Sequence, residues 1–138
     1  MEKTELVRLA LEARAHSYAP YSQFKVGAAL LSGDGAVYQG ANVENASYGA
    51  TVCAERVAAL RAVYDGHRRF AAIAIAGFAD EGERGYAHPC GICRQFLREF
   101  AAPGMKVYVA KTEADAREYT LEELLPESFG PEALGMDR

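Results

Sequence analysis

The order of apolar and polar positions divides the chain into alternating helical and extended segments. Leucine and alanine residues between Leu6 and Ala13 recur at helical spacing with charges between them, which predicts an amphipathic helix over residues 4–16. In "FKVGAALLSGDGAVYQGANVE", two segments rich in strand-forming residues flank a Ser-Gly-Asp-Gly turn. This pattern predicts a β-hairpin over residues 24–43.

The second half of the chain continues the alternation. Apolar residues at three- and four-residue spacing, followed by the helix-stopping Gly66, predict a helix over residues 53–65. Periodicity further predicts a buried strand at 70–78, a helix at 90–100 and a strand at 106–110. The tail after Pro126 is expected to be irregular. Strands that alternate with helices after an opening hairpin predict an α/β sandwich, with helices on the faces of a mixed sheet.

Composition narrows the class of protein. A chain of 138 residues, half of them apolar, is expected to form one domain spanning residues 1–138. The net charge of −4 offers no basic surface for a nucleic acid, so nucleic acid is excluded as the main partner. The charged amino terminus cannot form the apolar core of a signal peptide, and no apolar run is long enough for a membrane span. A cytoplasmic location without membrane contact is expected.

The three cysteines are the first sign of chemistry. They cannot all pair with one another, and a reducing cytosol leaves them as thiols. Cys90 and Cys93 are three residues apart where a helix begins, and Cys53 stands at the start of the preceding helix. Zinc binds thiolates and prefers four ligands, so one zinc ion could bind all three sulfurs. Arg56, one turn beyond Cys53, could compensate the negative charge of such a centre.

The fourth ligand distinguishes a structural site from a catalytic one. If His88 completes the tetrahedron, the zinc only stabilises the fold; if water does, the site can catalyse a reaction. A redox pair is a further reading of Cys90 and Cys93, but it leaves Cys53 without a role. Glu55 favours catalysis, because a carboxylate beside a zinc-bound water is a general base. It can share the site with Cys53 only if that cysteine lies where the chain enters its helix.

"CAE" at 53–55 and "PCGIC" at 89–93, which contain Glu55 and the three cysteines, resemble the zinc signature of the cytidine deaminase family in its small, homotetrameric form. Further similar stretches follow in the family's order over most of the chain: "APYSQFKVGAAL", "GANVENASYG", "CAER", "PCGICRQFLREF" and "LLPESFGP". The resemblance implies a three-layer α/β/α sandwich with a mixed five-stranded sheet.

The resemblance also implies a reaction on a small nucleoside. One zinc ion per chain, bound by Cys53, Cys90 and Cys93, would acidify a water, and Glu55 would accept its proton. The resulting hydroxide would attack C4 of cytidine or 2′-deoxycytidine, and Glu55 would return protons to N3 and to the departing amino group. Uridine or 2′-deoxyuridine and ammonia would result, a step of pyrimidine salvage.

Substrate contacts carry over from the resemblance at the matching positions. Asn42 and Glu44 would bind the ribose 3′-hydroxyl, and Phe24 would form an aromatic wall for the base. The backbone N–H of Ala54 would bind the pyrimidine carbonyl. Tyr48 and Phe129 would reach into the site of a neighbouring subunit, which implies a homotetramer with shared sites.

Other functions are compatible with the same zinc signature. The nearest is deamination of a related aminopyrimidine nucleoside, as in the blasticidin S deaminases. A nucleic-acid-editing deaminase would need a basic groove, which this short acidic chain does not provide. A binding module held together by structural zinc is the alternative that is not an enzyme.

Overall fold

Helices and strands alternate along the chain as the hydrophobic pattern predicts. The computed structural model describes residues 1–136. Its helices are α1 (Lys3–Ala13), α2 (Ala54–Tyr64), α3 (Gly91–Phe100) and α4 (Leu121–Leu124). Its strands are β1 (Phe24–Ser32), β2 (Val37–Ala41), β3 (Phe70–Ala79), β4 (Ala101–Ala110) and β5 (Ala116–Thr120). Short 3₁₀ turns lie at Arg14–His16, Tyr48–Ala50 and Pro131–Leu134.

The strands form one mixed sheet in the order β2-β1-β3-β4-β5. Strands β3 and β4 are parallel, as expected when a helix, here α3, connects two neighbouring strands. The other neighbouring strands are antiparallel. The five-stranded mixed sheet that the family resemblance implied is therefore confirmed. The hydrophobic pattern alone predicted only four of these strands and missed β5.

Two apolar clusters cover the two faces of the sheet and make the sandwich three layers thick. On one face, α1 packs Leu6 and Val7 against small side chains of the central strands, among them Ala29 and Ala74. On the other face, α2, α3 and α4 cover a larger cluster around Phe70. The predicted α/β/α architecture is confirmed.

The predicted boundaries agree with the structure to within a few residues, with two differences. The second strand of the hairpin ends at Ala41, although Val43 still forms isolated bridges with neighbouring segments. Strand β4 starts at Ala101, five residues before the predicted start, because the chain enters the sheet directly after α3. The tail after Pro126 contains only the last 3₁₀ turn within the described residues. Among residues 1–136, no helix is long and apolar enough to span a membrane.

A glycine in β2 determines how closely α2 approaches the sheet. A Cβ atom on Gly40 would lie 2.5 Å from both the carbonyl oxygen of Ala54 and the backbone nitrogen of Ala58. Both atoms belong to the α2 backbone, so they cannot move aside as a flexible side chain would. The buried side of α2 is itself built from alanines, including Ala58, Ala59 and Ala62. The helix therefore rests nearly backbone to backbone on the sheet.

Gly40→Ala is expected to destabilise the protein by about 2 kcal/mol or more, because the added methyl group overpacks a contact between two backbones. Gly85→Ala is the matched control, since a Cβ there meets nothing within 4 Å. Urea unfolding of both variants measures the difference. Equal unfolding midpoints for the two variants would contradict this account of the α2 contact.

Candidate metal and active site

The starts of α2 and α3 bring the three cysteines together. Cys53 is the N-cap of α2 and Cys90 is the N-cap of α3, both with extended backbone angles. Cys93 lies in the first turn of α3 and is buried. The three Sγ atoms all lie within 4.8 Å of one another, and those of Cys53 and Cys90 are 3.8 Å apart. The cluster predicted from the spacing of the thiols is thus present.

The geometry of this cluster fits a tetrahedral zinc ion. Two sulfurs bound to one zinc at about 2.3 Å in a tetrahedron are about 3.8 Å apart, which matches the distance between Cys53 and Cys90. The donor set is also appropriate, because soft thiolates select soft or borderline metals such as zinc. The backbone N–H of Cys93 donates to the Cys90 sulfur at 3.4 Å, so the helix start also binds the ligand.

The positive charge of a nearby guanidinium favours the deprotonated, thiolate form of the cysteines. Nη2 of Arg56 lies 3.6 Å from the Cys53 sulfur, as predicted from its place one turn into α2. A hydrogen bond from the Cys93 thiol, together with the Arg56 guanidinium, lowers the pKa of Cys53 to about 5. The same sulfurs raise the pKa of Arg56, so its positive charge is permanent. Buried Nε of Arg56 has no hydrogen-bond partner within the described residues.

The imidazole of His88 contacts a residue of β5. Its Nε2 lies 3.0 Å from the hydroxyl of Tyr119 on β5. Within residues 1–136, the group of possible metal ligands contains the three cysteines without any histidine. The alternative in which His88 completes a purely structural zinc site therefore does not agree with the geometry.

Glu55 lies in the first turn of α2, two residues after the N-cap cysteine. Because the backbone of Cys53 is extended, the two side chains are not forced to opposite sides as they would be within a regular helix. Glu55 is only 4% exposed, and this burial raises its pKa to about 7. The nearby Cys53 thiolate adds to that shift. A carboxyl group with this pKa can accept and release protons near neutrality.

Asn42 and Glu44 follow β2 and are held by hydrogen bonds within the chain. Oδ1 of Asn42 accepts the backbone N–H of Val26 at 2.9 Å, and Nδ2 donates to the Phe24 carbonyl at 2.8 Å. The carboxylate of Glu44 accepts two backbone N–H groups and the hydroxyl of Ser22. Both side chains are therefore fixed in orientation before any ligand arrives.

The other predicted contacts lie near the same end of the sheet. Phe24 begins β1 and is 42% exposed, so its ring is available to a ligand rather than fully used in the core. Ala54 is buried and is the first residue of α2, where a backbone N–H has no acceptor inside the helix.

Tyr48 and Phe129 are among the most exposed large apolar side chains, at 77% and 59%. Tyr48 lines a cavity of about 340 Å³ with Glu44. The remaining lining residues are Tyr21, Ser22, Asn45 and Thr51. Sequence analysis assigned these four residues no role, although Tyr21 and Ser22 lie in the family-like stretch "APYSQFKVGAAL" and Asn45 lies in "GANVENASYG".

Comparison with known proteins identifies the family. The family model for the cytidine and deoxycytidylate deaminase zinc-binding region matches residues 1–110. A cytidine deaminase from Halalkalibacterium halodurans is 46% identical over 132 residues, covering 96% of this chain and 97% of the relative. One from Sporosarcina psychrophila is 43% identical over 134 residues, covering 97% and 96%.

Solved structures agree with the sequence relatives. The crystal structure of cytidine deaminase from Burkholderia pseudomallei superposes with a TM-score of 0.84 at 45% identity, covering 94% of this chain and all of that one. Cytidine deaminase from Mycobacterium tuberculosis gives a TM-score of 0.78 at 38% identity, covering 94% and 98%. Together with the cluster of three thiols, these matches show that the chain belongs to the cytidine and deoxycytidylate deaminase zinc-binding family.

Proposed function

We propose that this protein catalyses the hydrolytic deamination of cytidine and 2′-deoxycytidine to uridine and 2′-deoxyuridine, with release of ammonia. The single observation that carries the proposal is the cluster of three thiols with the buried Glu55 two residues after Cys53. Family membership and relatives named cytidine deaminase support the choice of substrate.

The three cysteines are proposed to hold one zinc ion per chain. When bound there, zinc supplies a Lewis acid that lowers the pKa of an attacking water toward neutrality. Arg56 balances the negative charge of the thiolates, which supports the acidity of that water. The sulfur of Cys90, the N-cap of α3, also accepts the backbone N–H of Cys93, which stabilises its thiolate form.

Glu55 is proposed to move the protons. With a pKa raised to about 7, its carboxyl group takes a proton from the attacking water and can hold it without a large penalty. It then donates to N3 of the pyrimidine and later to the departing amino group. The low exposure of the side chain keeps bulk water from intercepting these transfers.

Contacts beyond the metal would orient the nucleoside. Asn42 retains one hydrogen on Nδ2 after its bond to the Phe24 carbonyl, and Glu44 retains lone pairs after its backbone contacts. Both can therefore bind the ribose 3′-hydroxyl. The N–H of Ala54 would donate to the pyrimidine carbonyl, and the ring of Phe24 would pack against the base.

The protein is further proposed to act as a homotetramer in cytoplasmic pyrimidine salvage. Four exposed apolar side chains support association: Tyr48, Leu60, Tyr64 and Phe129. In a symmetric assembly, Tyr48 and Phe129 would complete the sites of neighbouring subunits. The three cysteines form no disulfide within the described residues, which suits the reducing cytoplasm.

Glu55→Gln is expected to lower cytidine turnover by about a thousandfold, because the amide cannot accept the proton from water. Zinc content and thermal stability should not fall. Glu5→Gln is the matched control, since Glu5 also lies in the first turn of a helix but is exposed. Turnover is measured from the change in ultraviolet absorbance. Natural turnover in the Glu55 variant would refute the mechanism, whereas a zinc-loaded natural protein without turnover would favour a binding module with structural zinc.

Removal of the metal is expected to abolish turnover. Prolonged dialysis against a chelator should remove one zinc per chain, and stoichiometric zinc should restore activity, since the thiols are the ligand group present. Elemental analysis alongside the absorbance assay measures both. A metal-free preparation with full activity would exclude the proposed role of the cysteines.

Sharing of sites between subunits is testable by mixing a variant of raised KM with an inactive variant. Phe129→Ala is expected to raise KM by about tenfold, through loss of part of the aromatic burial in a neighbour's site. After subunit exchange with Glu55→Gln chains, the Phe129→Ala chains should recover a natural KM, because their partners supply the phenyl ring. If mixed assemblies retain the high KM, Phe129 acts within its own subunit or not at all.

A further inference from the structure

The segment between β3 and α3, residues 80–90, leads directly to a metal ligand and is called the ligand loop here. None of its residues belongs to a helix or strand. Within the described part of the chain, residues 80–89 make no backbone–backbone hydrogen bond. The conformation of the ligand loop therefore depends on side-chain contacts and on the backbone N–H of Arg94 in α3, which donates to the carbonyl of Cys90.

Three side chains tie the ligand loop to β5 and the turn before it. Arg84 donates to the carbonyl of Lys111 at 2.8 Å. The Tyr86 hydroxyl donates to Asp115 at 2.6 Å, and the guanidinium of Arg117 lies 4.0 Å from the Tyr86 ring. The last contact joins Nε2 of His88 to the hydroxyl of Tyr119 at 3.0 Å, with the rings edge to face.

The contact between His88 and Tyr119 is the one nearest to the metal ligands. Only Pro89 separates His88 from Cys90. Pro89 is fully buried, its ring fixes one backbone angle, and its carbonyl accepts a hydrogen bond from Arg94 at 2.7 Å. The buried proline ring and the Arg94 bond thus restrict the backbone between His88 and Cys90.

Cys90 is the ligand that most needs such support. Cys93 is buried within α3 and Cys53 is half-buried, whereas Cys90 is exposed. The anchor itself is firm, because Tyr119 lies in β5 and its ring packs against the main apolar cluster.

We propose that the hydrogen bond between His88 and Tyr119 is a positioning contact that holds Cys90 in its zinc-binding geometry and slows the loss of zinc. The inference rests on the proposed role of Cys90 as a zinc ligand. His88 and Tyr119 touch neither metal nor substrate; they act through the short, constrained path from His88 to Cys90.

The first test measures how fast zinc leaves the zinc-loaded protein to an excess of a chromogenic chelator. Tyr119→Phe keeps the packed ring and removes only the hydroxyl, so zinc release is expected to accelerate about fivefold, the factor of one neutral hydrogen bond. Tyr38→Phe is the matched control. This variant loses the 2.8 Å hydrogen bond that the Tyr38 hydroxyl donates to Asp65, but Tyr38 lies on β2, at the opposite edge of the sheet from Tyr119.

The second test asks whether the hydrogen-bonding group itself is what matters. His88→Ala is expected to release zinc at the rate of Tyr119→Phe, whereas His88→Gln should stay within about twofold of the natural protein, because its amide nitrogen can occupy the place of Nε2. Cobalt substituted for zinc reports the geometry directly. Its visible spectrum should shift in Tyr119→Phe and His88→Ala, and match the natural protein in His88→Gln.

Zinc release from Tyr119→Phe at the rate of the natural protein or of Tyr38→Phe overturns the inference, as does equal release from His88→Gln and His88→Ala. Because zinc release is measured without substrate, failure of this inference can be distinguished from failure of the proposed function. Unchanged release with full cytidine turnover refutes only the positioning contact. Accelerated release from a protein that never turns over cytidine supports the contact and refutes the proposed reaction.

Discussion

Three sulfur atoms within 4.8 Å of one another are the constraint on which this end of the molecule depends. Two helices must begin at one point, and each must begin with a cysteine in an extended conformation. The sheet permits this because Gly40 lets α2 approach its surface backbone to backbone. Local negative charge is then offset by helix starts and by Arg56. The fold therefore both brings the three thiols together and supplies the positive charge that offsets theirs.

The same arrangement includes a buried carboxyl group, which lowers the stability of the fold. Glu55 is buried, and ionising a buried carboxyl costs free energy, which is why its pKa rises to about 7. An apolar side chain in its place, beside the alanines of the main apolar cluster, would avoid the free-energy cost of burying a polar group. A fold that retains such a carboxyl beside three thiols sacrifices stability for a group that can exchange protons near neutral pH.

Local pattern was sufficient for the elements with strong periodicity and for the grouping of the three thiols, because helical spacing places Cys90 and Cys93 on one side. It failed at β5, whose sequence "AREYT" is short and polar, as suits an edge strand that packs one face only. The five-stranded sheet followed only from the family resemblance. The partner of His88 was unpredictable, because Tyr119 is 31 residues away and only the sheet order brings them together. Likewise, the sequence did not indicate that Asn42 also joins the backbone of β1.

The tie between the ligand loop and β5 has a consequence for biosynthesis. Translation adds all three cysteines to the chain before it adds Tyr119. Until β5 emerges and pairs with β4, the segment ahead of Cys90 lacks its anchors at Lys111, Asp115 and Tyr119. The ligand loop can therefore form these contacts only after the chain has been synthesised through Tyr119, which places the ordering of the segment ahead of Cys90 late in folding.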